Sequence, residues 1–289
     1  MPIDPAAAIG AQLPDRAFSW TESDVLLYHL GIGATTDLRW TMEGSQLHVL
    51  PSFGVVVPTF DETDPAPLDL PGCDIDLTQV VHGSQSVEVA GPIPTSGSAT
   101  LSTTLTDIWD KGSAAVIWQE GVVRALPSEG ASGAELWRVR SSIFVRGEGG
   151  FGGERGSSEK VALPDREPDA TTTYAVAPHQ ALLYRLCGDR NPLHADPDFA
   201  QRAGFPAPIL HGLCSYGIVL REVTELLYDG DPSRVRGFTV CFSGVVFPGE
   251  TLRINAWDEG GRVLVDATIA GGGRDGSPVL ADCVITTTD

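Results

Sequence analysis

Apolar residues recur along this chain with two spacings, and the switches between them outline its elements. Val25, Leu26, Leu27 and Leu30 make a helical stripe, started by Thr21 and Asp24 as caps and closed by Gly31 and Gly33. Leu50 to Thr59, with Val55, Val56 and Val57 in a row and Pro58 at the boundary, reads as an extended, mostly buried segment. The Asp- and Pro-rich run from Asp61 to Asp76 reads as a loop. Ser86-Val87-Glu88-Val89 then alternates polar and apolar until Gly91-Pro92 stops it, which is a strand pattern. Ala99 to Ile108, Ala114 to Ala125 and Leu136 to Val145 follow as strands, the first two joined by a hairpin turn at Asp110-Lys111-Gly112. The first half is a helix followed by an antiparallel sheet.

From Gly147 to Asp169 the periodicity disappears into Gly, Ser, Glu and Pro. The expected division is a unit at 1–153, a linker at 154–169 and a second unit at 170–289. Pro178 opens a helix carrying Leu182, Leu183 and Leu186, and Gly188 suits its left-handed cap. Asp196 and Pro197 begin a short helix that ends near Gly204, and a longer one runs from Gly212 to about Tyr228. Strands fill 236–246, 251–259, 262–270 and 278–286. Leu26-Leu27-Tyr28-His29-Leu30-Gly31 parallels Leu182-Leu183-Tyr184-Arg185-Leu186-Cys187, and Val81-His82-Gly83 parallels Leu210-His211-Gly212, so duplication of one unit is expected. After His82-Gly83 the sequence cannot form a long helix. The first unit is therefore expected to keep an apolar groove for a long chain.

A length of 289 residues allows two domains of ordinary size, and a net charge of −19 disfavours nucleic acid and anionic membranes as partners. No apolar run is long enough to span a bilayer. The five cysteines form no C-x-x-C pair, which fits reduced thiols in a cytoplasm, and Thr286-Thr287-Thr288-Asp289 carries no peroxisomal address.

Candidate chemistry concentrates between the helices of the second unit. Asp189 and His194 share one short loop, so both can reach a single water or substrate atom, as general acid-base chemistry requires. Asn191 either orients that water or forms the turn before Pro192. Gly212 opens an apolar helix, whose unpaired first-turn amides favour developing negative charge. A metal held by His194, Asp196 and His211 is the weaker reading, because Asp196 is explained as a helix cap. Gly147-Glu148-Gly149-Gly150-Phe151-Gly152 satisfies G-x-G-x-x-G, but no helix follows it to hold a phosphate. Neither a G-x-S-x-G elbow nor a P-loop is present. His82 and Asp37 read as structural.

The string Gly188-Asp189-Arg190-Asn191-Pro192-Leu193-His194, followed by Ile209-Leu210-His211-Gly212, resembles the hydratase 2 signature of the MaoC-like dehydratases. Tyr28 to Ala34, His82 to Gln85, Asp107 to Gly112 and Phe144 to Gly153 resemble further segments of its two-unit members. The departure is Cys187, where the family often has Ser. The resemblance implies an α+β double hot-dog fold: two antiparallel sheets, each with a helix, the central helix long only in the second unit. It implies a hydro-lyase acting reversibly between trans-2-enoyl-CoA and (3R)-3-hydroxyacyl-CoA, without metal or redox cofactor, as a homodimer. Asp189 and His194 would activate water and Gly212 would receive the thioester oxygen. Arg190 and Arg202 are candidates for the CoA phosphates, and Gly149, Gly150 and Phe151 for a mobile cover over the acyl chain. The rivals are a dehydratase acting on acyl carrier protein and an acyl-thioester binding module without turnover. The strong negative charge disfavours the first and the intact Asp189/His194 pair the second.

Overall fold

A computed structural model describes residues 3–64, 69–75, 79–126, 133–157 and 160–288. The first half runs α1 (Pro5–Ala8), β1 (Arg16–Trp20), α2 (Glu22–Gly31), α3 (Leu38–Thr41), α4 (Phe53–Val56), β2 (Val80–Val89), β3 (Gly97–Asp110), β4 (Ala114–Ala125) and β5 (Glu135–Arg146). The second runs β6 (Ala170–Ala175), α5 (Gln180–Tyr184), α6 (Pro197–Arg202), α7 (Gly212–Tyr228), β7 (Val235–Phe242), β8 (Thr251–Asp258), β9 (Arg262–Ala270) and β10 (Pro278–Thr287). All ten strands lie in one antiparallel sheet ordered β1-β3-β4-β5-β2-β7-β10-β9-β8-β6. Read from either edge, each half has the order first, third, fourth, fifth, second strand. That is the arrangement duplication of one unit produces.

The expected two sheets are thus fused edge to edge. Ser84 to Glu88 of β2 pair with Cys241 to Gly237 of β7 and make the seam. Two strands went unread. β6 is Ala-Thr-Thr-Thr-Tyr-Ala, an edge strand with no fully buried position, so it shows no apolar alternation. β1 is five residues long and hides in a Pro- and Ala-rich lead. The α2 prediction holds, with the Asp24 carboxylate accepting the Thr21 N–H at 2.7 Å.

Leu50 to Thr59 is not extended. It folds as α4 and a tight turn over Val57–Thr59. A short, mostly apolar run flanked by prolines lacks the periodicity that separates helix from strand. Its position gives it a different meaning, since Ser52-Phe53-Gly54-Val55-Val56 echoes Ser215-Tyr216-Gly217-Ile218-Val219 inside α7. α4 is the first unit's four-residue counterpart of the seventeen-residue α7. The echo between His82-Gly83 and His211-Gly212 has no such basis, because His82 lies in a strand and His211 precedes a helix.

α7 is buried from Cys214 through Arg221 and packs on β7, β8 and β10, filling the second half-sheet. In the first half Leu50, Phe53, Val57 and Phe60 take the equivalent space against Trp20 and Trp137. His29 holds this filling in place. Its Nδ1–H donates to the Trp40 carbonyl at 3.0 Å, and its Nε2 accepts from the Leu50 N–H at 3.4 Å. Burial pushes the imidazole down to about 4. The unfolded chain takes up this proton below about 6.5, whereas the native state resists until about 4, so acid favours unfolding across that window. Urea unfolding should show stability falling between pH 6.5 and 4, with about 3 kcal/mol from His29 at the low end. A His29→Gln variant should be weaker at neutral pH and show a shallower dependence. An unchanged dependence would remove His29 as its source.

Candidate functional site

The catalytic-type residues are set by how the loop after α5 is docked. The chain tightens over Arg185–Cys187 and turns at Gly188, whose φ is 105°. A Cβ at Gly188 would stand 1.9 Å from the Thr59 carbonyl oxygen, so only glycine fits there. The loop rests on the first half's 59–62 segment, and the Arg190 Nε–H donates to the Glu62 carbonyl at 3.2 Å.

Past Gly188, Asp189 is exposed and accepts the Asn191 N–H at 3.1 Å. Asn191 Oδ1 accepts the Leu193 N–H at 3.0 Å and caps the single turn Pro192–His194. This makes Asn191 the turn former of the loop. Asp196 accepts the amides of Asp198 and Phe199 as the cap of α6, as expected, which takes it out of the metal grouping weighed with His194 and His211. The group actually brought together is Asp189, His194 and His211, with one ligand-type atom of each within 4.8 Å of the others.

Hydrogen bonding fixes both imidazole tautomers. The buried His194 donates through Nδ1–H to the Ile209 carbonyl at 2.9 Å, leaving the lone pair on Nε2. His211 donates through Nε2–H to the Asp189 carbonyl at 3.2 Å. The two rings stack 3.7 Å apart at 26°, and the Tyr184 ring lies 4.9 Å from His211. Burial lowers the His194 pKa against the opposing pull of Asp189. Burial, then the neighbouring His194, drives His211 well below its ordinary value. Both rings are neutral at pH 7, with His194 Nε2 free to accept a proton.

His211 also ends the approach to α7. Among the described residues the amides of Gly212 and Leu213 donate to no protein group, so the first turn presents free N–H donors. A Cβ on Gly212 would stand 3.1 Å from the Phe242 ring, so Phe242 walls this opening.

His82, read from the sequence as structural, lies beside the site. A bulge between His82 and Ser84 breaks the strand alternation, so His82 and Gln85 face the same side through their partners Ile143 and Ser141. His82 packs 4.6 Å from the Phe242 ring, placing a first-half residue beside Gly212. A bulge leaves no mark in an apolar/polar pattern this short. Four buried polar atoms without a protein partner surround the site: His82 Nε2, Tyr184 Oη, Arg185 Nε and His211 Nδ1.

The remaining candidates lie further out. Arg202 is exposed on α6, its guanidinium 5.5 Å from the Phe199 ring. The glycine-rich loop is latched down, because the Asp110 carboxylate accepts the amides of Gly112, Gly150 and Gly152, each at 2.8 Å. Those bonds hold Asp110 below the usual carboxylate range. Phe151 packs against the core cluster of Ile3, Leu105 and Ile143. A cleft of about 160 Å³ opens at the other end of the seam, among His48, Val89, Ile93, Asp231 and Arg236, and shares no residue with the Asp189 cluster.

The chain is similar to known proteins along both halves. A MaoC-like domain model matches residues 159–277, and an MFE-2 hydratase 2 N-terminal domain model matches residues 18–147. The enoyl-CoA hydratase ChsH3 of Mycobacterium tuberculosis is 49% identical over 97% of this chain and 98% of its own length. The mouse peroxisomal multifunctional enzyme type 2 is 42% identical over 89% of this chain, which spans 35% of that longer protein. The crystal structure of a MaoC-like dehydratase from Phytophthora capsici superposes with a TM-score of 0.88 at 29% identity, covering 99% of this chain and 98% of that one. With both halves matched and the likeness running the length of the molecule, the chain belongs to the MaoC-like hydratase 2 family and has its double hot-dog fold.

Proposed function

We propose that the protein catalyses the reversible hydration of trans-2-enoyl-CoA to (3R)-3-hydroxyacyl-CoA in fatty acyl metabolism. The observation that carries the reading is the Asp189 carboxylate within 4.8 Å of a ring nitrogen of His194, whose Nε2 is left unprotonated, next to the free amides that open α7. Water held between Asp189 and His194 gives up a proton to one of them as its oxygen adds to C3. The thioester oxygen gains negative charge, which the Gly212 N–H receives, and a proton is delivered to C2 of the resulting enolate. Elimination of water is the same path reversed. Positioned acid-base groups contribute roughly 10²–10⁴-fold, and an aimed oxyanion donor adds roughly 10²–10³-fold. These groups supply what the reaction needs, so the reading includes no resident cofactor, with CoA arriving as part of the substrate.

Relatives support the substrate class. Besides ChsH3, a Mycobacterium tuberculosis protein named 3-hydroxyacyl-thioester dehydratase Y is 39% identical over 98% of this chain. A net charge of −19 favours CoA over an acidic carrier protein. Arg190, next to Asp189, and Arg202, between His194 and His211 in sequence, are our candidates for the CoA phosphates. No described helix is long and apolar enough to cross a membrane, and the five unpaired cysteines support a cytoplasmic setting.

Mixing the protein with medium-chain trans-2-enoyl-CoA should abolish the conjugated thioester absorbance and yield the 3R alcohol. Asp189→Asn should reduce kcat by roughly 10²–10⁴-fold with the fold intact. A 3S product, or full activity in that variant, would overturn the assignment.

The hydration rate should also depend on pH with a defined sign. His194 must be neutral to act as base, and burial lowers its pKa from the ordinary histidine value of about 6.5. kcat/KM should therefore hold through neutrality and fall only below that value. An acid limb centred above it would place another group in control.

A further inference from the structure

A polar row crosses the inner face of the first half-sheet where neither the fold nor the hydration chemistry requires one. Gln119 of β4 stands opposite Ser141 of β5, and Ser141 stands opposite Gln85 of β2. Paired residues of antiparallel neighbours share a face, so all three point inward. The Gln119 Nε2–H donates to Ser141 Oγ at 2.9 Å across that face. Along the strands the row is bracketed by apolar residues. Val87, Val123 and Trp137 belong to the main core, and Leu105, Ile117 and Ile143 to a separate second cluster. The row is where these two clusters fail to meet.

Polar groups at such a place are costly unless partnered, and these are only partly partnered. Gln85, 4% exposed, donates to the Ser86 and Arg140 carbonyls at 2.8 and 3.3 Å. Gln119 Oε1 receives no donor among the described residues. The Ser141 hydroxyl accepts from Gln119 and keeps its own proton to give. One step toward the Asp189 cluster, His82 Nε2 is sealed from solvent without a partner. His82 shares the face of Gln85 and its ring lies 4.6 Å from that of Phe242, which walls Gly212, so the row continues into the site. Charge narrows the ligand. Arg138 and Arg140 alternate to the outer face, Arg138 pairing with Glu120 and Glu135 and Arg140 lying 4.1 Å from the Trp118 ring. No cation lines the row, so it suits a neutral group.

We propose that His82, Gln85, Gln119 and Ser141 are specificity-determining residues that read the acyl portion of the substrate, which carries an uncharged oxygen, keto or hydroxyl, away from the reacting double bond. The row lies about 7 Å beyond His82, two residues along the strand, so the oxygen belongs in the middle of the acyl group. This inference rests on the hydratase reading, and it replaces the wholly apolar groove expected from sequence with one that is polar at its centre.

The test compares a medium-chain trans-2-enoyl-CoA with the same thioester bearing a mid-chain keto or hydroxyl group. The wild type should favour the oxygenated substrate by about 10-fold or more in kcat/KM. Gln119→Met and, separately, Ser141→Ala should each shrink that preference by about 3- to 10-fold. Gln119 is only partly buried, so its replacement should not unfold the chain, and thermal melting checks both variants. A wild-type ratio near one, or a ratio unmoved by both variants, would make the row sheet scaffolding. Calorimetric binding of both thioesters to the Asp189→Asn protein reads the same preference without turnover. No turnover with retained discrimination would therefore count against the hydratase reading and leave the row supported. Equal binding of the two thioesters would overturn the row.

Discussion

The pairing of β2 with β7 is the constraint on which the rest depends. Five residue pairs join two half-sheets that would otherwise each present a bare inner edge of unpaired N–H and C=O groups. Val87 opposite Phe238 and Gln85 opposite Val240 set the inner face of the seam, and that register brings His82 to the ring of Phe242. Because Phe242 walls Gly212, the opening of α7 has a first-half residue beside it. A one-residue slip would turn these side chains to the other face. The seam is therefore both the main joint of the molecule and the ruler for its site.

The electrostatics follow from where water is admitted. Two imidazoles stacked at 3.7 Å in a buried place are tolerable only when uncharged, and burial keeps them so. The carboxylate of the set stands at the solvent edge, where its charge is supported by water and by the Asn191 amide. A buried imidazole beside an exposed carboxylate is a contrast created by environment, which the residue types alone do not decide.

Much of this was legible in the residues. Gly188, Pro192, Asp196 and Pro197 act through local backbone rules, so the turn, the short helix and the placement of Asp189 could be read directly. α7 was bounded correctly because seventeen residues give a clear period before Asp229 caps it in the left-handed region. What failed were features settled by tertiary partners. α4 is helical because Ser52 and Phe53 meet Tyr28, β6 is a strand because β8 offers it an edge, and His82 faces the site because of a bulge. The glycine-rich loop looked mobile because its latch, Asp110, lies forty residues from Gly150.

The fit of Gly188 against the Thr59 carbonyl bears on how the molecule comes into being. A chain made from its N-terminus presents the first half to solvent before the second exists. The residues of the surface on which the loop of Asp189 and His194 is moulded are thus synthesised before the loop. The first half, which carries neither of those residues, serves as the template of the site. A fragment holding only the second half would contain Asp189 and His194 but lack the surface that shapes their loop.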